Sequence, residues 1–317
     1  MSSQQAMTSK HWFPATIQKA FNYLIAPFKL SEWKKSAQEA KGKAKQEAKK
    51  TLMLLGIYYV LFSPLVAMPF YNTCIFHPYV TGDYEIKEIA GVKKQDVYFE
   101  NSQHTKLHAW YFANPAAKKT ILFSHGNAGN ITHRTEILKL LINSGASVFI
   151  YDYSGFGLSK GSPSVDGCID DAIAAFDTMK NKLKIDPQSI VLYGESLGTG
   201  ITSQLAEHRN CSGVILQSAF ASLPEIAREK MIVFRLYPDF IYPVNKLNTK
   251  AYVKGQHPPL LIIHGEKDNI IPVHNADDIY AAASQKKSLV KLPEASHNDV
   301  PDHATYDMGN KLAEILR

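Results

Sequence analysis

From residue 96 onward, short apolar runs alternate with longer stretches in which apolar positions return every three or four residues. The first two runs, Asp96–Glu100 and Leu107–Ala113, alternate apolar and polar side chains. That period marks strands with one solvated face, expected to pair antiparallel at a sheet edge. Later runs are mostly apolar and rich in β-branched residues: Thr120–Phe123, Val148–Tyr151, Ile190–Tyr193, Val214–Leu216, Leu260–Ile263 and Leu289–Leu292. Such runs suit strands covered on both faces. Helical segments fall near Ile131–Asn143, Asp166–Lys182, Leu197–His208, Asn275–Ala283 and His303–Ile315. Strand and helix in turn predict an α/β fold, a mostly parallel sheet with helices on both faces. The alternation breaks between Phe220 and Pro258. A small cap insertion is expected there, with Met231, Ile232, Phe234, Leu236 and Phe240 among the apolar residues suited to an acyl pocket.

The N-terminal part follows another pattern. Residues Leu52–Phe70 carry no charge. Their number is about enough for a tilted helix across a hydrocarbon core of roughly 30 Å, and Pro64 would kink it. Lysines crowd the upstream flank at Lys41, Lys43, Lys45, Lys49 and Lys50, whereas the first lysine downstream is Lys87. The positive-inside tendency then puts the N-terminus in the cytoplasm and the rest of the chain across the membrane, in a periplasmic, lumenal or extracellular space. Further upstream, Trp12, Phe13, Ile17, Phe21, Leu24, Ile25, Phe28 and Leu30 suggest an interfacial segment, broken by Pro14 and Pro27. The expected organisation is a basic arm over 1–50, a transmembrane anchor over 51–71, and a catalytic domain over 85–317 with its cap at 220–258.

Composition narrows the picture only a little. The 317 residues, 45% of them hydrophobic, suit one large domain plus an appendage. The net charge of +6 resides largely in the arm, which favours anionic lipid over nucleic acid as its partner. Cys74, Cys168 and Cys211 offer neither a disulfide framework nor CxxC spacing. No HExxH pattern occurs among the histidines. No metal or cofactor is expected.

The chemistry centres on Gly194-Glu195-Ser196-Leu197-Gly198, between the Ile190–Tyr193 run and a helical pattern. A serine on that strand-to-helix turn projects from the sheet above a helix N-terminus. A hydroxyl needs a base, and the base an orienting carboxylate, in the chain order Ser, Asp or Glu, His. Asp268 follows the strand Leu260–Ile263 and the Gly265 turn, and His297 follows Leu289–Leu292. Glu266, Asp299 and Asp152 are rival carboxylates, placed less well by turn or by chain order. Two backbone N–H groups must face the developing oxyanion. Leu197 is expected to supply one and Asn127, in the loop Ser124-His125-Gly126-Asn127-Ala128-Gly129-Asn130, the other, with Ala128 as the adjacent alternative. His125 is read as a brace of that loop, and Asp152 likewise as a bracing carboxylate.

Taken together, HGNAGN, the Tyr151–Ser159 loop, GESLGTG, HGEKD and SHND resemble the serine hydrolases of the α/β-hydrolase superfamily. Within it the chain looks like the membrane-anchored group that includes the alpha/beta-hydrolase-domain-containing proteins 13 and 17, from about Glu85 to the C-terminus. The resemblance implies an α/β-hydrolase fold with nucleophile, acid and base at Ser196, Asp268 and His297 and an oxyanion loop at Gly126-Asn127. Some members remove acyl chains from protein cysteines and carry an N-terminal cysteine cluster. The first cysteine here is Cys74, which favours the transmembrane-anchored branch. The expected activity is cleavage of a carboxylic ester or thioester, in a lipid or an acylated protein, through an acyl-enzyme. A peptidase or amidase is the first alternative, with Glu225, Glu229 and Asp239 as the insert's only carboxylates for a substrate ammonium. A non-enzymatic membrane scaffold is the second.

Overall fold

The computed structural model describes residues 30–64, 66–238, 241–242 and 246–317. The interfacial segment expected between Trp12 and Leu30 lies outside these residues except for Leu30, which begins a helix, and Asp239 and Phe240 of the insert also lie outside them. The chain divides into two units, Met1–Phe62 and Ser63–Arg317.

In the first unit a helix runs from Leu30 to Leu61. Its lysine- and alanine-rich part is solvated, and the apolar side chains from Leu52 to Phe62 are exposed. The expected span over Leu52–Phe70 is corrected: the run is not one helix. It stops at Leu61, ahead of Ser63 and Pro64, and a second helix, Met68–Ile75, starts with proline in its first turn. Proline lacks the N–H that would continue the first helix and disfavours helical backbone at the residue before it. The ten apolar residues from Leu52 to Leu61 rise only about 15 Å. Among the described residues no helix is long and apolar enough to cross a membrane. The sidedness expected for the catalytic domain rested on that span.

The second unit is built on a mixed sheet. Its strands are β2 (Glu88–Ile89), β3 (Val92–Glu100), β4 (Lys106–Phe112), β5 (Thr120–Ser124), β7 (Ser147–Tyr151), β8 (Ile190–Glu195), β9 (Gly213–Gln217), β10 (Leu260–Gly265) and β11 (Lys287–Leu292). Two short strands outside it, β1 (His77–Pro78) and β6 (Ala128–Gly129), pair parallel with each other. The order across the large sheet is β11-β10-β9-β8-β5-β7-β4-β3-β2. It is parallel from β11 to β7 and antiparallel from β7 to β2.

Side-chain alternation divides the core into two layers. Leu122, Leu192, Val214, Leu216 and Ile262 face one side, against the helices Val165–Asn181 and Leu197–His208. Ile121, Phe123, Val191, Tyr193, Ile215 and Ile263 face the other, against Thr135–Asn143 and Tyr306–Ile315. Burying both faces is why these strands carry no polar alternation. From β5 the chain passes first to β7 on one side and later to β8 on the other. The strand order reverses there, and in open α/β sheets ligands bind beyond the strand C-termini at such a point.

The insert comprises a helix Leu223–Lys230, a 3₁₀ turn Ile232–Leu236 and a helix Thr249–Lys254. Ser222 caps the first by accepting from the Glu225 N–H. Phe234 and Tyr237 are buried, whereas Met231, Ile232 and Leu236 are exposed.

Candidate active site

Ser196 sits between β8 and the helix Leu197–His208 with φ +53° and ψ −118°. Left-handed φ at a non-glycine residue is strained, and the fold holds it in place. The Ser196 N–H donates to the Gln217 carbonyl at 2.9 Å, and its carbonyl accepts from the Thr199 N–H and hydroxyl. The flanking glycines permit the turn by close approach. A Cβ on Gly198 would collide with the Ser124 carbonyl, and one on Gly194 with the backbone of Gly198 and Thr199.

His297 lies in the loop after β11. Its Nε2 is 2.9 Å from Ser196 Oγ, and its Nδ1 is 2.7 Å from Asp268 Oδ2. All three side chains are buried. Asp268 Oδ1 accepts from the N–H groups of Ile270 and Ile271 at 2.9 and 2.8 Å. Burial alone would raise the Asp268 carboxyl, but hydrogen bonds from His264, His297 and the Ile271 N–H outweigh it and hold the group well below the usual carboxylate range. An ionised Asp268 favours the Nδ1–H tautomer of His297, leaving Nε2 free to accept from the serine.

The rival carboxylates serve elsewhere. Asp299 accepts from the Ser296 N–H and hydroxyl at 2.6 and 2.8 Å and so shapes the histidine loop. Glu266 is exposed. Asp152 is buried beyond β7, where it accepts from the Ile131 N–H at 3.0 Å.

The loop after β5 closes over Ser196: the position of a Cβ on Gly126 would lie 3.5 Å from Ser196 Cβ. His125 is fully buried, with Nδ1 2.8 Å from the Gly126 carbonyl. Burial, then the Arg134 charge, push its pKa down to about 3, so it is a neutral brace. Asn127 is tied to the segment before the sheet. Its carbonyl accepts from His77 N–H at 2.8 Å, and its side chain donates to the Ile75 carbonyl at 2.9 Å.

Three features of the site were not singled out from the sequence. His264, fully buried in β10, has Nε2 2.8 Å from the Ile271 carbonyl and 3.3 Å from Asp268 Oδ2. Arg134 reaches Glu195, the residue before Ser196, at 2.8 Å. Residues 75–79 pair with the loop after β5. The HGEKD motif contained the first; for the other two no local pattern exists.

Comparison with known proteins agrees with this architecture. Residues 115–256 match the family described as serine aminopeptidase, S33. The uncharacterized protein YfhR of Escherichia coli K12 is 32% identical over 215 residues, 65% of this chain and 74% of that protein. A putative alpha/beta hydrolase of Acanthamoeba polyphaga mimivirus is 34% identical over 196 residues, 61% of this chain and 72% of that protein. Among solved structures, an esterase of Pyrococcus furiosus superposes with a TM-score of 0.62 at 20% identity, covering 76% of this chain and 97% of that one. The chain belongs to the α/β-hydrolase superfamily, and its class is hydrolase.

Proposed function

We propose that the protein is a serine hydrolase that cleaves a carboxylic ester or thioester carrying an acyl chain. The observation that carries this reading is the continuous hydrogen-bonded line from Ser196 Oγ through His297 to Asp268. His297 Nε2 takes the hydroxyl proton as Ser196 Oγ attacks the carbonyl carbon. The N–H groups of Leu197 and Asn127 receive the oxyanion. The imidazolium, held by ionised Asp268, gives its proton to the leaving alkoxide or thiolate. Water then attacks the acyl-enzyme, losing a proton to His297, and the acid leaves as Ser196 recovers its proton.

An apolar substrate is supported by the exposed Met231, Ile232 and Leu236 of the insert and by Ile270 beside Asp268. The peptidase alternative draws less support. Glu225 and Glu229, the described carboxylates available for a substrate ammonium, already face Lys250 and His274 at 3.4 and 3.5 Å. We also propose that the protein is held at a membrane through its lysine-rich helix. Exposed apolar residues Leu52–Phe62 next to solvated lysines support this reading.

The test is a series of p-nitrophenyl esters and acyl thioesters of increasing chain length, assayed against an amino-acid p-nitroanilide. Hydrolysis of the esters that disappears in His297→Ala supports the reading. Turnover confined to the anilide overturns it in favour of the peptidase.

A further inference from the structure

The two backbone donors assigned to the oxyanion come from separate stretches of chain. Leu197 follows the nucleophile, and Asn127 lies in the loop after β5. A hole of this kind works only if both N–H groups are held at fixed positions before charge develops. One side chain reaches both stretches. Arg134 ends the 3₁₀ turn Ile131–Arg134, which leads away from the loop and is capped by Asn130. Its Nε donates to Glu195 Oε2 at 2.8 Å, and its Nη2 donates to the Ala128 carbonyl at 2.9 Å. Glu195 precedes Ser196, and Ala128 follows Asn127. The Arg134 and Glu195 side chains are only 12% and 14% exposed, so this pair is far better shielded than a surface salt bridge.

We infer that Arg134 is a positioning residue that clasps the two halves of the oxyanion hole together through Glu195 and Ala128. The inference rests on the serine-hydrolase reading of the site. The planar guanidinium suits the task because it presents donors in two directions at fixed angles, which an ammonium does not. It has a second, electrostatic consequence. The Cβ position on Gly126 that lies 3.5 Å from Ser196 Cβ is also 3.4 Å from Glu195 Oε1 and 3.2 Å from Arg134 Nη2. A carboxylate so close to the nucleophile opposes a developing oxyanion unless a cation neutralises it. Arg134 therefore fixes the loop and cancels the Glu195 charge at once.

The experiment uses the full chain and p-nitrophenyl butyrate, with kcat expressed per serine titrated to completion by a fluorophosphonate. Arg134→Ala lowers kcat by roughly 10- to 100-fold with little change in KM, the size of effect expected when catalytic groups are misplaced by about 1 Å. Arg134→Lys keeps a charge for Glu195 but cannot reach both partners, so its melting temperature stays near wild type while kcat still falls. Adding Glu195→Gln to Arg134→Ala recovers part of the loss by removing the stranded charge, and so does adding guanidinium ion to the single variant. If Arg134→Lys and Arg134→Ala match wild type per titrated serine, differing only in thermal stability, Arg134 is merely structural and the inference is overturned. A wild-type protein that takes up no fluorophosphonate overturns the reading of the site itself, a different failure.

Discussion

His264 Nε2 lies 3.3 Å from Asp268 Oδ2, the same oxygen that meets His297 Nδ1. The buried imidazole also has its Nε2 2.8 Å from the Ile271 carbonyl. With two acceptors facing Nε2, that nitrogen carries the proton, and His264 joins Asp268 to its own loop. A hydrogen bond to a charged group is worth about 1.5–3 kcal/mol. His264→Ala should therefore lose stability of that order in urea denaturation and lower kcat, because Asp268 would no longer be held against His297. His264→Gln, whose amide nitrogen reaches about the same depth, should lose less of both. Unchanged kcat in His264→Ala would leave the residue without a part in orienting Asp268.

Asp171 sets a different pH dependence. It accepts from the Ser154 N–H and hydroxyl and from Asn101 Nδ2, so it pins the Asp152–Pro163 loop to the helix Val165–Asn181. Burial pushes its pKa up to about 6 despite those donors. The folded state thus binds the proton more tightly than the unfolded chain. The contribution is favourable below the ordinary carboxylate range and is lost as pH rises from about 4 to about 6, by on the order of 3 kcal/mol. Denaturation at pH 4.5 and 7 should show Asp171→Asn at a larger disadvantage at the lower pH. A disadvantage independent of pH would contradict the assignment.

Membrane attachment through the first unit is open to a direct assay. The protein should float with vesicles containing phosphatidylserine, and a chain starting at Ser63 should stay at the bottom of the gradient. Replacing Lys41, Lys43, Lys45, Lys49 and Lys50 by glutamine should weaken flotation, more so on raising salt. Flotation by the shortened chain would move attachment to the hydrolase unit.

The central strands and the chain order of Ser196, Asp268 and His297 were legible in the sequence because each is a local pattern: a buried run followed by a small-residue turn. The edge was less so. β2 spans two residues, as do β1 and β6, too few for any period to show. The span expected over Leu52–Phe70 followed from its lack of charge, but hydropathy alone does not record where the backbone breaks, and Ser63-Pro64 lies within it. His264 was missed although its partners Asp268 and Ile271 follow it closely in the same strand and loop. Arg134 was missed because its partner Glu195 is brought to it only by the sheet. Arg134 and Glu195 are far apart in the chain and meet because β5 and β8 are neighbours. Nothing local in either segment announces the other.

Every step proposed for the site requires Ser196 to be the nucleophile. The decisive measurement is mass-spectrometric mapping of the protein after reaction with a fluorophosphonate. The account predicts a single phosphonylated peptide, modified at Ser196, with no adduct in Ser196→Ala and a rate at least about 10³-fold lower in His297→Ala. An adduct on another residue, or undiminished labelling of Ser196→Ala, would contradict it.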